Sequence, residues 1–314
     1  MRVALLFTDG VGVGRRDPGC NPLARGTYML SQFEDDSGEP LPNGGTVHSV
    51  DATFGVPGRP QSASNQTALL TGLPAPALLG AHSLGFPNAA LRALLQESSL
   101  IRRLVQRGLT AEFVNAYPAG YLDALGLAHR QSDAADVVIP ERARRRLKPS
   151  ATTSAFAAGP VCLRTFTDAR RGVGLTADID ARRARERGFD VPLRTAQEAA
   201  EIFWRVGRGV DFTFFEHYLA DEAGHAQDWV LAAEALQGFD AFARAVVAMR
   251  PDRTLLLICS DHGNVEDLSS RNHTLARVPL LAFGPGNEHA GTPRDLAEVG
   301  AWILARLGIG GEGK

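Results

Sequence analysis

The stretch Thr254–Pro279, TLLLICSDHGNVEDLSSRNHTLARVP, constrains this chain more than any other. It opens with the apolar run Leu255–Cys259, breaks at Ser260-Asp261-His262-Gly263-Asn264, and returns to an apolar run at Val278–Phe283. Short apolar runs bounded by polar, glycine-containing breaks read as buried strands. Asp261 and His262 then fall at the C-terminal tip of a strand, where open α/β sheets gather their ligands. His273 follows one polar loop later. A carboxylate, an adjacent imidazole and a second imidazole a loop away make a metal-ligand set. The competing reading has Asp261 capping a turn and the histidines in solvent.

The same grammar recurs. Val3–Phe7 reads as a buried strand ending at Asp9, followed by Gly10-Val11-Gly12-Val13-Gly14. A dinucleotide loop needs GxGxxG and a helix behind it, whereas this run is GxGxG and precedes a polar segment with two prolines. The alternative is that the glycines let backbone pass close to a ligand held by Asp9. Asp211–Tyr218 reads as another strand. Asp221 and His225 come next, and their i, i+4 spacing puts both on one face of a helical turn. Gln61–Gly72 reads as a small polar entry into a helix that stops at Gly72. Ser62 sits at or just before its N-terminus, where free N–H groups and the helix dipole favour an anion. Ser62 or Ser64 serving only as an N-cap is equally open at this point.

Between these points, helical and strand patterns alternate. A hairpin is expected around Thr46–Val56, one helix or two over Asn88–Gly108, and a strand at Ala111–Ala116. Thr195 with Glu198 forms a capping-box signature, Trp229–Met249 a long amphipathic helix, and Thr292-Pro293 a helix start with proline at the first position. Strands alternating with helices imply an α/β layered sheet. Residues 119–192 are less periodic and carry an arginine-rich patch. They read as an inserted cap on a core made of residues 1–118 and 193–314. Arg142 and Arg145 are candidate contacts to the non-reacting part of a substrate, against the reading of a solvated helix face.

Composition closes several classes. The 314 residues have 44% hydrophobic and 22% charged content, ordinary for a soluble globular protein. A formal net charge of −2 gives no electrostatic case for nucleic acid or an anionic membrane. Cys20, Cys162 and Cys259 are scattered without a CxxC pair, which suggests a reducing compartment. No run approaches membrane-spanning length and the first residues lack a signal h-region, so a cytoplasmic location is expected.

The strand-end groups Asp9, Ser62, Asp221, His225, Asp261, His262 and His273 are the inventory that two neighbouring metal sites require. The motifs Thr8-Asp9-Gly10-Val11-Gly12, Asp221-x-x-x-His225, and Ser260-Asp261-His262-Gly263-Asn264-x-Glu266 followed by His273-Thr274 and Val278-Pro279 resemble the alkaline phosphatase superfamily. Within it they are similar to the cofactor-independent phosphoglycerate mutase and phosphopentomutase branch. Ser62–Gly72 looks like the alkaline phosphatase nucleophile segment, whose serine precedes a Thr-Gly by a similar interval. The resemblance implies a layered α/β/α core with a mostly parallel central sheet and a small inserted cap. It implies that Asp221, His225 and His273 hold one divalent metal and that Asp9, Ser62, Asp261 and His262 hold the other, with Zn or Mn expected and Mg possible. It implies Ser62 as nucleophile, with Asn65 steadying the phosphoryl oxygens. The expected activity is a phosphatase or phosphodiesterase working through a phosphoserine on a phosphorylated small molecule. A small phosphomutase and a non-catalytic metal-binding protein on the same fold are the alternatives.

Overall fold

The computed structural model describes residues 1–34, 40–133, 137–287 and 292–309. Six strands form the central sheet: β1 (Arg2–Thr8), β2 (Thr46–Val50), β3 (Ala111–Phe113), β6 (Phe212–His217), β7 (Thr254–Cys259) and β8 (Val278–Phe283). The short strands β4 (Ala116–Tyr117) and β5 (Arg164–Thr165) pair separately. The order in the large sheet is β2-β8-β7-β1-β6-β3. β1 lies at the centre, parallel to both β6 and β7, and β3 runs parallel to β6. Only β8 runs against its neighbours β2 and β7 among the described residues. The sheet is therefore mostly parallel.

The apolar runs explain the layering. Successive side chains of a strand point to opposite faces, so a strand apolar at every position is covered on both. Val3, Leu5, Phe7, Phe214 and Leu257 face a layer containing Leu69 and Leu70 of the helix Ser62–Thr71 and Trp302 and Ile303 of the helix Leu296–Arg306. Leu6, Phe215, Leu256 and Ile258 face Phe203 of the helix Ala196–Gly207 and Phe239 and Phe242 of the helix Trp229–Ala248. The result is an α/β/α sandwich. Residues 119–192 contribute in two ways. Leu122, Ala155, Phe156 and Leu163 join the first face of the main core, whereas Phe166, Ala169, Ala181, Ala184 and Val191 form a separate small cluster with Ala116.

Local expectations were met or displaced for identifiable reasons. The Thr195–Glu198 capping box opens the helix Ala196–Gly207 with both reciprocal bonds present. The segment 88–108 is two helices, Ala89–Ser98 and Leu100–Gln106, because the Ser99 side chain caps the second. Thr46–Val50 does not form a hairpin with the residues after it; it pairs with β8, more than 200 residues away in the chain. The last helix begins at Leu296 with Asp295 as its cap, three residues after Pro293, because the Arg294 carbonyl is taken by the Asp51 N–H at 2.7 Å. Among the described residues, no helix is long and apolar enough to cross a membrane.

Phe214 is the aromatic hub of the first face, fully buried with ring centroids 6.1 Å from Phe7, 5.7 Å from Phe113 and 5.9 Å from Phe156. Phe214→Ala is expected to lower unfolding free energy by about 3–5 kcal/mol, read by denaturant titration. A loss below about 1 kcal/mol would contradict this account of the core.

Candidate functional site

Three parallel neighbours, β6, β1 and β7, end on the same edge of the sheet, and each delivers acidic or imidazole groups just beyond its last residue. β1 leads to Asp9, whose N–H bonds the carbonyl of His217 at 2.8 Å. β6 leads into the helix Leu219–Ala226, which carries Asp221 and His225. β7 leads to Asp261 and His262, both fully buried. The helix Ser62–Thr71 points its N-terminus at the same spot, with Ser62 as its first residue.

All seven sequence-predicted groups converge. Ser62 Oγ lies 2.8 Å from His262 Nε2, which in turn lies 3.2 Å from Asp9 Oδ1 and 3.5 Å from Asp261 Oδ2. His225 Nε2 is 3.3 Å from Asp221 Oδ2, and His273 Nε2 is 3.5 Å from Asp221 Oδ1. Ligand atoms of Asp9, Asp261 and His262 lie within 4.8 Å of one another, as do those of Asp221, His262 and His273. The rings of His262 and His273 stack at 3.7 Å, so the two groups are contiguous.

The outer contacts prepare these atoms as ligands. His273 Nδ1 lies 2.7 Å from the Pro60 carbonyl and His225 Nδ1 2.8 Å from the Arg271 carbonyl. A carbonyl only accepts, so each Nδ1 carries a proton and, whenever the ring is neutral, each Nε2 turns a lone pair inward. Those two Nε2 atoms stand 3.1 Å apart. Facing lone pairs repel unless a proton or a cation lies between them. Asp9 Oδ1 is buried without a hydrogen bond. Buried carboxylate oxygens and inward lone pairs of this kind fit a mixed N/O divalent site.

Electrostatics point the same way. Burial, then the charges of Asp261 and Asp221, push the Asp9 carboxyl well above the usual carboxylate range. Burial and the adjacent His262 hold His273 down at about 4, so it is neutral at physiological pH. Burial opposes ionisation of Asp221, but the hydrogen bond from His225 and the neighbouring His262 and Asn264 outweigh it and bring it to about 2. That same bond to Asp221 raises His225.

The other predicted residues lie elsewhere. Asn65 is fully buried, and its amide donates to the carbonyls of Ala52 at 2.9 Å and Asp261 at 2.8 Å. It braces the loop behind the site. Arg142 and Arg145 are exposed, outside the walls of the cavity that adjoins Ser62, and Arg145 pairs at 3.9 Å with Glu141 on its own helix. The rival hydroxyls are also placed. Ser64 Oγ donates to the Gln61 carbonyl and accepts from Ser83 N–H, and Thr67 Oγ1 donates to the Ala63 carbonyl.

Three contributors were given no role by the sequence reading, although Asn264 and Glu266 stand in its motif after β7. Gln66 Nε2 donates to Asp9 Oδ2 at 3.2 Å and Asp261 Oδ2 at 3.0 Å. Its position one helical turn after Ser62 was the available signal. Asn264 Nδ2 donates to Asp221 Oδ1 at 2.8 Å. Glu266 accepts from Gly12 N–H at 2.9 Å, from Asn264 N–H at 2.8 Å and from the Thr274 hydroxyl, tying three loops together. It also explains the glycines: a Cβ on Gly12 would sit 2.3 Å from Glu266 Oε1. Gly10 has φ +76, and a Cβ there would meet Asp221 Cβ at 2.6 Å. The glycine run thus makes room for Glu266 and Asp221, not for a dinucleotide.

Residues 194–310 match the Metalloenzyme superfamily. The fold aligns with alkaline phosphatase from the Antarctic bacterium TAB5 over 99% of this chain and 99% of that one, at TM-score 0.56 and 14% identity. Alkaline phosphatase from Thermus thermophilus aligns over 98% of this chain and 91% of that one, at TM-score 0.54 and 12% identity. The matched segment carries a metalloenzyme signature and the fold is that of the alkaline phosphatases. In sequence the chain resembles the phosphopentomutases. A phosphopentomutase of Methylorubrum extorquens is 35% identical over 146 residues, 44% of this chain and 35% of the relative. That of Deinococcus radiodurans is 32% identical over 149 residues, 45% of this chain and 37% of the relative. The chain thus matches little more than a third of the length of these relatives.

Two opposite pH dependences follow. His273 has a folded value near 4, below the usual imidazole value of about 6.5. Its contribution to stability is present above that value and is lost as pH falls toward 4. Asp9 has a raised folded value, so its contribution is present in acid and is lost as pH rises through that value. Metal-free protein should therefore melt lower on both sides of an intermediate optimum. Added Mn2+ or Zn2+ should raise Tm more at pH 8 than at pH 5, because a divalent ion needs the deprotonated ligands. Thermal melts with and without chelator across this range check it; equal metal shifts at both pH values would contradict it.

Proposed function

We propose that the chain catalyses metal-dependent phosphoryl transfer through a phosphoserine on Ser62, most simply as a phosphatase or phosphodiesterase. The observation that carries this reading is the placement of Ser62 Oγ, half-exposed at a helix N-terminus, 2.8 Å from His262 within the acid and histidine cluster. Asp221, His225 and His273 would hold one divalent ion, and Asp9, Ser62, Asp261 and His262 the other. Zn2+ or Mn2+ suits the mixed donor set, and Mg2+ is the third option. When bound, such ions supply Lewis acidity that lowers the serine hydroxyl's pKa and neutralises phosphoryl oxygens.

The chain's own groups do the rest. Ser62 Oγ loses its proton and forms a bond to phosphorus while the bond to the leaving oxygen breaks in line; that oxygen takes up a proton as it departs. Free N–H groups of the first turn of helix Ser62–Thr71 face the developing negative charge. Gln66 and Asn264 fix the carboxylates of Asp9, Asp261 and Asp221 so that their oxygens stay aimed inward. Water then attacks the phosphoserine, releasing inorganic phosphate and restoring the hydroxyl.

A second reading, a phosphomutase, is supported by the phosphopentomutase identity of the curated relatives. In that case an acceptor hydroxyl of the substrate replaces water in the second step. The two differ in product: inorganic phosphate in stoichiometric yield for the hydrolase, an isomerised ester without phosphate release for the mutase.

Ser62→Ala is expected to fold and to retain metal, while turnover falls by several orders of magnitude. Mass spectrometry after brief acid-quenched reaction of the parent should find phosphate on the peptide containing Ser62. Ser64→Ala should remain active, since that hydroxyl serves the local backbone. Label on Thr67, or near-parent turnover in Ser62→Ala, would remove Ser62 from its role.

A further inference from the structure

Beside Ser62 opens a cavity of about 700 Å3 whose walls are more apolar than polar. Cavities of this size hold ligands much larger than a phosphate group. Two aromatic pairs line it. Tyr117 stacks on Tyr121 with ring centroids 6.0 Å apart and interplanar angle 26°, and it also packs against Phe113 at 6.1 Å. Phe166 meets Phe189 edge-on at 5.0 Å, with Phe166 buried in the small satellite core. These rings are held by neighbours before any ligand arrives, so contact with them requires little new ordering.

The charged lining is less receptive to a second anion. Two guanidinium groups face the cavity, Arg183 and Arg187. Arg183 is paired with Glu222, and Asp178 and Glu216 add further acidic side chains to the lining. Against a lining more apolar than polar, a flat ring has two aromatic pairs to contact.

We propose that this cavity is a leaving-group site selecting phosphomonoesters whose alcohol carries an aromatic ring, packed between Tyr117–Tyr121 and Phe166–Phe189. The inference rests on phosphoryl transfer at Ser62, and it deepens that reading by naming the part of the substrate that does not react. Ring-on-ring contact in a desolvated wall corresponds to a preference of about tenfold over an acyclic alcohol.

The test separates binding from turnover. Metal-loaded parent protein is titrated calorimetrically with benzylphosphonate and with propylphosphonate, which share the anionic head and cannot be hydrolysed. Benzylphosphonate should bind at least about tenfold more tightly. Tyr121→Ala and Phe189→Ala, both at half-buried positions, should each shrink the benzyl-to-propyl ratio toward unity. Cyclohexylmethylphosphonate distinguishes an aromatic preference from bulk apolarity and should fall between the two. Equal binding of all three ligands by the parent overturns the inference, whatever the enzyme's turnover. So does a ring preference that survives unchanged in both variants. Failure of the phosphoryl-transfer reading shows elsewhere, as absence of phosphate release from benzyl phosphate and of label on Ser62.

Discussion

The repulsion among buried carboxylates at the strand tips is the constraint on which the rest of this structure depends. Asp9, Asp221 and Asp261 crowd one small volume with little access to water, and no lysine or arginine approaches any of them with an ion pair among the described residues. Burying ionised carboxylates without compensation is among the most unfavourable arrangements a protein can adopt. Two responses are visible. Neutral donors from Gln66, Asn264 and backbone N–H groups partly compensate the charge, and the Asp9 carboxyl holds its proton more tightly. Neither response offers the compact positive charge that such a cluster is built to receive.

Maintaining that arrangement requires a rigid frame around it, and Glu266 is its keystone. It lies far from Ser62 in function, yet it joins the glycine loop after β1, the loop after β7 and the segment bearing His273. Burial raises its carboxyl, while the hydrogen bonds it accepts oppose that rise. The loops that carry the site are thus cross-braced by one acid that never faces the cavity. The Gly12 and Gly263 positions, where any Cβ would collide with this side chain, are the backbone's accommodation of it.

Much of this was readable in the sequence, and the reasons are physical. Continuous apolar runs ending in polar breaks report a buried strand and its tip directly, so Asp9, Asp221, Asp261 and His262 could each be placed just beyond a strand from the residues alone, while the resemblance sorted them into ligand sets. What stayed hidden depended on partners remote in the chain. Thr46–Val50 looks like half of a hairpin because nothing local announces β8. Asn65 and Gln66 are adjacent polar residues on one helix, and only three-dimensional packing sends the first behind the site and the second into it. Composition signalled the arginine patch but not its direction: Arg142 and Arg145 face solvent, and Arg183 and Arg187 line the cavity.

The central position of β1 has a consequence for how the molecule comes into being. Its partners on either side, β6 and β7, begin at Phe212 and Thr254, so this strand is made long before it can be completed. During synthesis the run Val3–Phe7 must wait, unpaired and oily, for more than 200 residues to leave the ribosome. At about 5–20 residues per second that delay lasts on the order of ten to forty seconds. Closing so long a loop also carries an entropic penalty that helix-first folding avoids. Assembly of the sheet, and with it the alignment of the edge that bears the acids and histidines, is therefore a late event. A nascent chain of this design has every reason to be guarded until its second half arrives.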